Sequence, residues 1–286
     1  MSLPTIQWYP GHIAKAERSL KEQLKRVDVI LEIRDARIPL TTHHPQVDEW
    51  IGEKSTVLVL NRVDMIQPAT REQWQSWFKD QGQRVYFTNA KQGKGVQNLL
   101  RAAQDAGKAM NDRRQRRGMK PRPVRAVVIG FPNVGKSALI NRLLKRKVVV
   151  SERRPGVTRQ LRWVRISNEI ELLDAPGVIP LKLNDQEAAL KLAICDDIGG
   201  AGYDTQRIAA AFIDLLKDLG ELHREVLSQR YGLAATDSGE SYIADLANER
   251  YQGDQERTAR AILNDYRTGN LGTLALEYPP ADDSRS

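Results

Sequence analysis

The run Gly130-Phe131-Pro132-Asn133-Val134-Gly135-Lys136-Ser137 has the residue types and spacing of a phosphate-binding loop. Its glycines let the backbone curl until N–H groups from Asn133 through Val134, Gly135, Lys136, Ser137 and Ala138 point at phosphate oxygens, and the helix that follows adds its positive N-terminal end. Lys136 has the reach for β- and γ-phosphates, and the Ser137 hydroxyl is a ligand for Mg²⁺. Asp174-Ala175-Pro176-Gly177 adds a DxxG pattern, in which Asp174 holds the same Mg²⁺ through water and the Gly177 N–H senses a γ-phosphate. Thr158, in the polar loop Pro155-Gly156-Val157-Thr158-Arg159, is the switch hydroxyl for that ion.

A second motif lies far upstream. In Asn61-Arg62-Val63-Asp64 the Asp64 carboxylate can accept the two hydrogens that guanine carries on N1 and N2, which adenine lacks. A polar group left unpaired in that role costs on the order of 1–3 kcal/mol, which favours GTP over ATP. Arg62 replaces the usual lysine, and an arginine can stack on a purine. Asn89-Ala90-Lys91 reads as the partner loop, with the Ala90 N–H meeting the guanine O6 and Asn89 in place of the more usual serine. The base-reading motif thus precedes the phosphate loop, the reverse of the ordinary order.

These motifs need strand ends to hold them. Val29–Ile33, Thr56–Leu60, Arg84–Phe87 and Ala126–Ile129 are short apolar runs that read as buried strands, followed by strands near 161–166 and 170–173. Helical patterns fall between them: Ile13–Val27, with Ile13, Ala16, Leu20, Leu24 and Val27 on one face, then Ala69–Lys79, Val96–Ala109 and Lys136–Leu144. Alternating strands and helices predict a mostly parallel α/β sheet with its ligand at the strands' carboxyl ends. After Pro180 the pattern is helical, over 185–197, 205–218, 220–230, 240–250 and 254–268. The expected organisation is an α/β domain over 1–179, with a basic linker at 111–125, and an all-α domain over 180–286 with a disordered tail at 279–286.

The chain has 286 residues and a net charge of +8, and that figure hides an asymmetry. Residues 1–179 hold 33 Lys and Arg against 17 Asp and Glu, whereas residues 180–286 hold 11 against 19. A basic front end suits a polyanionic partner. The first helix and residues 113–125 are the stronger RNA candidates, and Arg257, Arg260 and Arg267 offer a local basic face in the acidic half. The single cysteine, Cys195, excludes a disulfide framework and a cysteine-based zinc site, which suits a reducing cytosol. No apolar run approaches the ~20 residues of a membrane helix, and Met1–Tyr9 lacks the pattern of a signal peptide, so a cytoplasmic, membrane-free protein is expected.

The motif order, together with Trp8-Tyr9-Pro10-Gly11-His12, Ala14-Lys15-Ala16, Asp35-Ala36-Arg37-Ile38-Pro39 and Tyr266-Arg267-Thr268-Gly269-Asn270-Leu271-Gly272, resembles the circularly permuted GTPases. The match is to the RbgA/YlqF family of ribosome-biogenesis GTPases, over almost the whole chain. The resemblance implies a permuted P-loop GTPase domain followed by a helical domain, acting as a GTP-hydrolysing factor on the immature large (50S) ribosomal subunit. Its implied partners are the pre-50S particle, rRNA and ribosomal proteins, with a monomer expected. Val178 follows Gly177 where many GTPases place a water-orienting glutamine. The resemblance gives that role to His12. In some GTPases with this P-loop, the residue matching Asn133 coordinates K⁺ beside the phosphates, which makes K⁺ a second candidate cation. Two alternatives stay open. One is an RNA-binding scaffold in which GTP sets conformation and hydrolysis is incidental; the other, a P-loop ATPase or kinase, is disfavoured by Asn61 and Asp64.

Overall fold

The computed structural model describes residues 18, 20–144, 162–174, 185–198, 203–234 and 236–280, with the backbone alone at 162, 164 and 174. Six strands form one sheet: β1 (Val29–Asp35), β2 (Ser55–Asn61), β3 (Val85–Thr88), β4 (Val124–Ile129), β5 (Arg162–Arg165) and β6 (Ile170–Asp174). Their spatial order is β3-β2-β1-β4-β6-β5, and all pairings are parallel except that of edge strand β5 with β6. Central β1 is buried along its whole length, because Val29, Leu31 and Ile33 supply one face of the sheet and Ile30 the other.

Both faces are covered. On one lies α3 (Val96–Arg116), whose Val96, Leu99, Ala103 and Gly107 recur at helical spacing and are buried. Gly107 passes so close to Val124 that a Cβ there would lie 2.3 Å from its side chain. On the other face Leu20, Leu24 and Val27, from the first helical pattern, pack with Ile30, Ile129 and the short α1 (Val47–Ile51). Residues 20–24 are helical, and Ile13 and Ala16 lie outside the described residues. Trp74 and Phe78 of α2 (Pro68–Asp80) join Leu58 and Leu60 in a further cluster. Helix α4 (Lys136–Leu143) leaves the phosphate loop.

The basic linker expected at 111–125 is corrected by these elements. Helix α3 runs on to Arg116, and β4 begins at Val124. Arginines are good helix formers, and Arg113, Arg114 and Arg116 sit in the last turn, where the carbonyl end of the helix dipole favours cations. Arg122 is committed as well, donating two hydrogen bonds to Asp28 at 2.8 and 2.9 Å.

The helical half comprises α5 (Gln186–Cys195), α6 (Thr205–Asp218), α7 (Glu221–Tyr231), α8 (Gly239–Arg250) and α9 (Gln255–Thr268). Part of its acidity is structural. Asp185, Asp204 and Asp254 cap α5, α6 and α9 by accepting bonds from backbone N–H groups of the first turn. The boundary expected between 179 and 180 lies outside the described residues, as does the tail from 281. One apolar cluster continues from Val29, Leu31 and Ile33 of the sheet to Phe212, Ile262 and Tyr266 of the helices. The chain then returns: the Leu276 and Glu277 N–H groups donate to the Arg37 carbonyl at 3.0 and 3.1 Å, and the Glu277 carboxylate accepts from the Leu40 N–H at 2.8 Å.

Candidate nucleotide-binding site

Parallel register brings the motifs side by side. Asp35, Asn61 and Thr88 are aligned at the carboxyl ends of β1, β2 and β3, while β4 runs into Gly130 beside them. Because β2 and β4 flank β1, a motif order that is reversed along the chain becomes one continuous site in space.

Asn61 joins its parts. Its Nδ2 donates to the Val134 carbonyl of the phosphate loop at 2.8 Å, and its Oδ1 accepts from Thr88 Oγ1 and from the Ala90 N–H, both at 3.1 Å. The side chain is buried and its bonding is spent on tying the phosphate loop to the 89–91 loop, so its work is structural. The Ala90 N–H expected to meet a guanine oxygen donates here to Asn61. Asn89 is buried and its Oδ1 accepts from the Gln92 N–H at 3.0 Å, while Lys91 is exposed. Asp64 is exposed on the 3₁₀ turn Val63–Met65 and has no hydrogen-bond or ion-pair partner among the described residues, leaving its carboxylate available to a ligand.

The backbone of the loop is tightly specified. A Cβ at Gly135 (φ 103) would lie 2.2 Å from Asn61 Nδ2, and one at Gly130 (φ 148) would lie 2.2 Å from the Ile33 carbonyl oxygen. Gly135 caps α4 without a side-chain bond, so the first N–H groups of that helix, including those of Ser137 and Ala138, are left for an anion. Lys136 Nζ bonds the Gly130 and Phe131 carbonyls at 3.2 and 2.6 Å, folding over the loop it would share with phosphate.

Three left-handed residues meet beside this loop. Arg62 (φ 63) donates from Nη2 to the Asn133 carbonyl, and Asn133 (φ 58) donates from Nδ2 to the carbonyl of Asp196 (φ 65) at 2.6 Å. Each such residue costs on the order of 1–3 kcal/mol, so strain is concentrated where the base motif, the phosphate loop and the helical half touch. The guanidinium of Arg62 is therefore held between Asp35 and the phosphate loop. The Asn133 Oδ1 makes no hydrogen bond to another described residue.

A buried charge cluster holds Arg62 in place. Asp35 accepts from Arg37 Nε and Nη2 at 3.0 and 2.8 Å and from Arg62 Nη1 at 2.8 Å, and Asp197 Oδ1 lies 3.6 Å from Arg62 Nη2. Arg37 also donates to the Cys195 carbonyl and lies over the Tyr266 ring. Burial works to raise the Asp35 pKa, but the Arg37 and Arg62 cations outweigh it and hold the carboxyl below the usual range. Asp197 moves the other way, pushed well up by burial and by the neighbouring Asp35 charge. The Asp35, Cys195 and Asp197 ligand atoms lie within 4.8 Å of one another, a spacing that could suit a metal ion, but the two arginines already supply the positive charge.

For Mg²⁺ the Ser137 hydroxyl on the first turn of α4 is a hard oxygen donor, as that ion requires, and the Asp174 backbone ends β6 in register with Val128 of β4. Thr158, Gly177 and His12 lie outside the described residues. Of the other histidines, His44 lies beside the phosphate loop. His44 packs on Trp50 and on Phe131 of the phosphate loop, with ring centroids 4.4 and 6.4 Å apart, and His43 Nδ1 lies 2.8 Å from Glu32 Oε1. The proposed basic face of α9 does not assemble. Arg267 donates to the Ile194 and Ala193 carbonyls at 2.8 and 2.7 Å, Arg260 pairs with Glu256, and Arg257 lies over Tyr251.

A phosphate loop at the end of a buried parallel strand, joined through Asn61 to a guanine-type loop that precedes it in sequence, defines a circularly permuted P-loop GTPase. Comparison with known proteins agrees. Residues 125–229 match the family described as 50S ribosome-binding GTPase. The chain is 36% identical over 282 residues to ribosome biogenesis GTPase A of Bacillus pumilus, covering 96% of this chain and 99% of that one. It is 30% identical to mitochondrial ribosome-associated GTPase 1 of Mus musculus, covering 95% and 90%. The GNP-bound crystal structure of YlqF from T. maritima superposes with a TM-score of 0.64 at 25% identity, covering 93% and 98%. The chain belongs to the ribosome biogenesis GTPase A family and is a GTPase.

Proposed function

We propose that this GTPase acts on the immature large ribosomal subunit, binding the particle in its GTP form and hydrolysing GTP when the particle completes the site. The observation that carries the reading is the Asn61 bridge, which ties phosphate loop and base loop into one unit and leaves Asp64 exposed as a carboxylate reader of guanine. The names of the relatives, ribosome biogenesis GTPase A and mitochondrial ribosome-associated GTPase 1, supply the particle.

In this reading Lys136 and the amides of Asn133–Ala138 bind the phosphates, and Ser137, Thr158 and Asp174 hold Mg²⁺, which neutralises charge on the β- and γ-oxygens when bound. Asn133 Oδ1 is available to K⁺. His12 orients the attacking water, since Val178 has no hydrogen-bonding group. The switch motifs lead directly into the helical half, so a change at the γ-phosphate is passed to α5–α9. No helix among the described residues is long and apolar enough to cross a membrane; we place the protein in the cytoplasm, as a monomer.

The test is single- and multiple-turnover hydrolysis of GTP and ATP, with and without immature large subunits, in K⁺ and in Na⁺. Slow intrinsic GTP turnover that rises with particles and with K⁺ is expected, and His12→Ala should lower kcat while GTP affinity stays near wild type. Turnover indifferent to particles would favour the scaffold reading instead.

A further inference from the structure

The sheet ends on β3, and the open edge of that strand forms the floor of a groove of roughly 880 Å³ between α2 and α3. Five cations line it, Arg71 and Lys79 from α2, Arg84 just before β3, Lys94 just before α3 and Arg101 in its second turn, and all five are exposed. Among the described residues none of the five makes an ion pair. The groove's one acid, Asp105, is paired with Lys108. Two of the guanidinium groups lie over rings on the groove floor, Arg71 over Phe87 at 5.0 Å and Arg84 over Tyr86 at 5.2 Å. Gln75, Gln83 and Asn98 add amides that can donate and accept.

Charged residues on an edge strand also discourage strand-to-strand aggregation, but only Arg84 adjoins β3, and the other four stand on or beside the helices. Five unpaired cations around a concave surface instead demand an anionic occupant. A basic protein arm that would add a strand to β3 is repelled by them. Half-buried rings capped by guanidinium planes are stacking surfaces for planar bases, and amides beside them match base edges. A duplex keeps its bases stacked inside and cannot use either feature. We propose that this groove binds unpaired nucleotides of RNA, with the cations on the phosphates and the Arg71–Phe87 and Arg84–Tyr86 stacks receiving bases. The inference rests on the ribosomal reading for the source of that RNA. The groove also adjoins the base-reading site, since Val63 lines it and the Lys94 carbonyl accepts the Asn89 N–H at 3.0 Å.

The experiment is fluorescence anisotropy on the full chain with a short, mixed-sequence single-stranded RNA and with the same sequence as a duplex, over a range of salt. The Arg71→Gln/Arg101→Gln double variant should bind the single strand roughly tenfold to a hundredfold more weakly and lower its salt slope by about 1.4, at about 0.7 per cation removed. Both positions are exposed and form no ion pair, and only the Arg71–Phe87 contact is lost, so its Tm should fall by no more than about 2–4 °C. Arg113→Gln/Arg114→Gln, at the far end of α3, should bind nearly as wild type. Wild-type affinity and slope in the groove variant, or a duplex bound as tightly as the single strand, would overturn the proposal. GTP turnover and co-sedimentation with immature large subunits are measured on the same wild-type preparation. Failure there with RNA binding intact would remove the ribosomal reading and leave the groove's chemistry standing.

Discussion

The carboxyl pair Asp35–Asp197 makes a quantitative prediction. Both side chains are fully buried and two arginines serve Asp35, so burial and the Asp35 charge push the Asp197 carboxyl well above the usual carboxylate range. In the unfolded chain an aspartate ionises near pH ~3.9. Between that value and the raised folded pKa, the native protein holds one more proton than the unfolded one. Stability from this group is therefore fully present below pH ~3.9 and falls as pH rises, by about 1.4 kcal/mol per unit. Asp197→Asn removes the titration and keeps the shape. Urea unfolding of both proteins without nucleotide at pH values of about 5 to 7 should show the variant gaining on wild type as pH rises, by no more than about 1.4 kcal/mol per unit. Asp35→Asn extends the test. Freed from its charged neighbour, Asp197 should ionise and serve the arginines, so the single change costs about 1–3 kcal/mol. The double variant leaves Arg37 buried without a carboxylate and should cost an additional 3–5 kcal/mol, well beyond additivity. Parallel pH curves for wild type and Asp197→Asn, together with an additive double variant, would refute the shared-proton account.

Three further outcomes follow from the same geometry. Asp64→Asn should lower GTP affinity by on the order of 10²–10⁴, from two charge-assisted hydrogen bonds of about 1.5–3 kcal/mol each, and should raise affinity for xanthosine triphosphate, whose C2 oxygen suits an amide donor; nucleotide competition checks it. Gly135→Ala should cost about 1–3 kcal/mol in strain and weaken GDP binding more than tenfold in calorimetry, because its Cβ would displace Asn61. Glu32 is buried, which alone would raise its pKa, but the His43 hydrogen bond and Arg34 bring it from 4.5 to about 2. Its stabilisation is present above pH ~4.5 and lost as pH falls toward ~2, so Glu32→Gln should cost on the order of 3 kcal/mol at neutral pH and little near pH 2 in acid-denaturation curves.

The sequence was most legible where chemistry is local. The phosphate loop, the strands that carry Asn61 and Asp174, and the five C-terminal helices follow from glycine placement and apolar period. Residues 111–125 do not form the expected linker because arginine is a good helix former, and 113–116 extend α3. The charge cluster was not legible. Asp35-Ala36-Arg37 reads as the end of a buried strand and as part of a resemblance, and its partner Asp197 lies in the other half of the chain, a pairing that no periodicity reports. Arg267 reads as a surface cation for the same reason, since the carbonyls it caps at the end of α5 belong to a distant segment.

The most direct measurement is sedimentation of the purified chain with immature large ribosomal subunits in the presence of a non-hydrolysable GTP analogue, GDP or no nucleotide, followed by quantification of the bound protein. Stoichiometric association with the analogue and release in GDP are predicted. Equal association in all three states, or association only with mature subunits, would contradict the account.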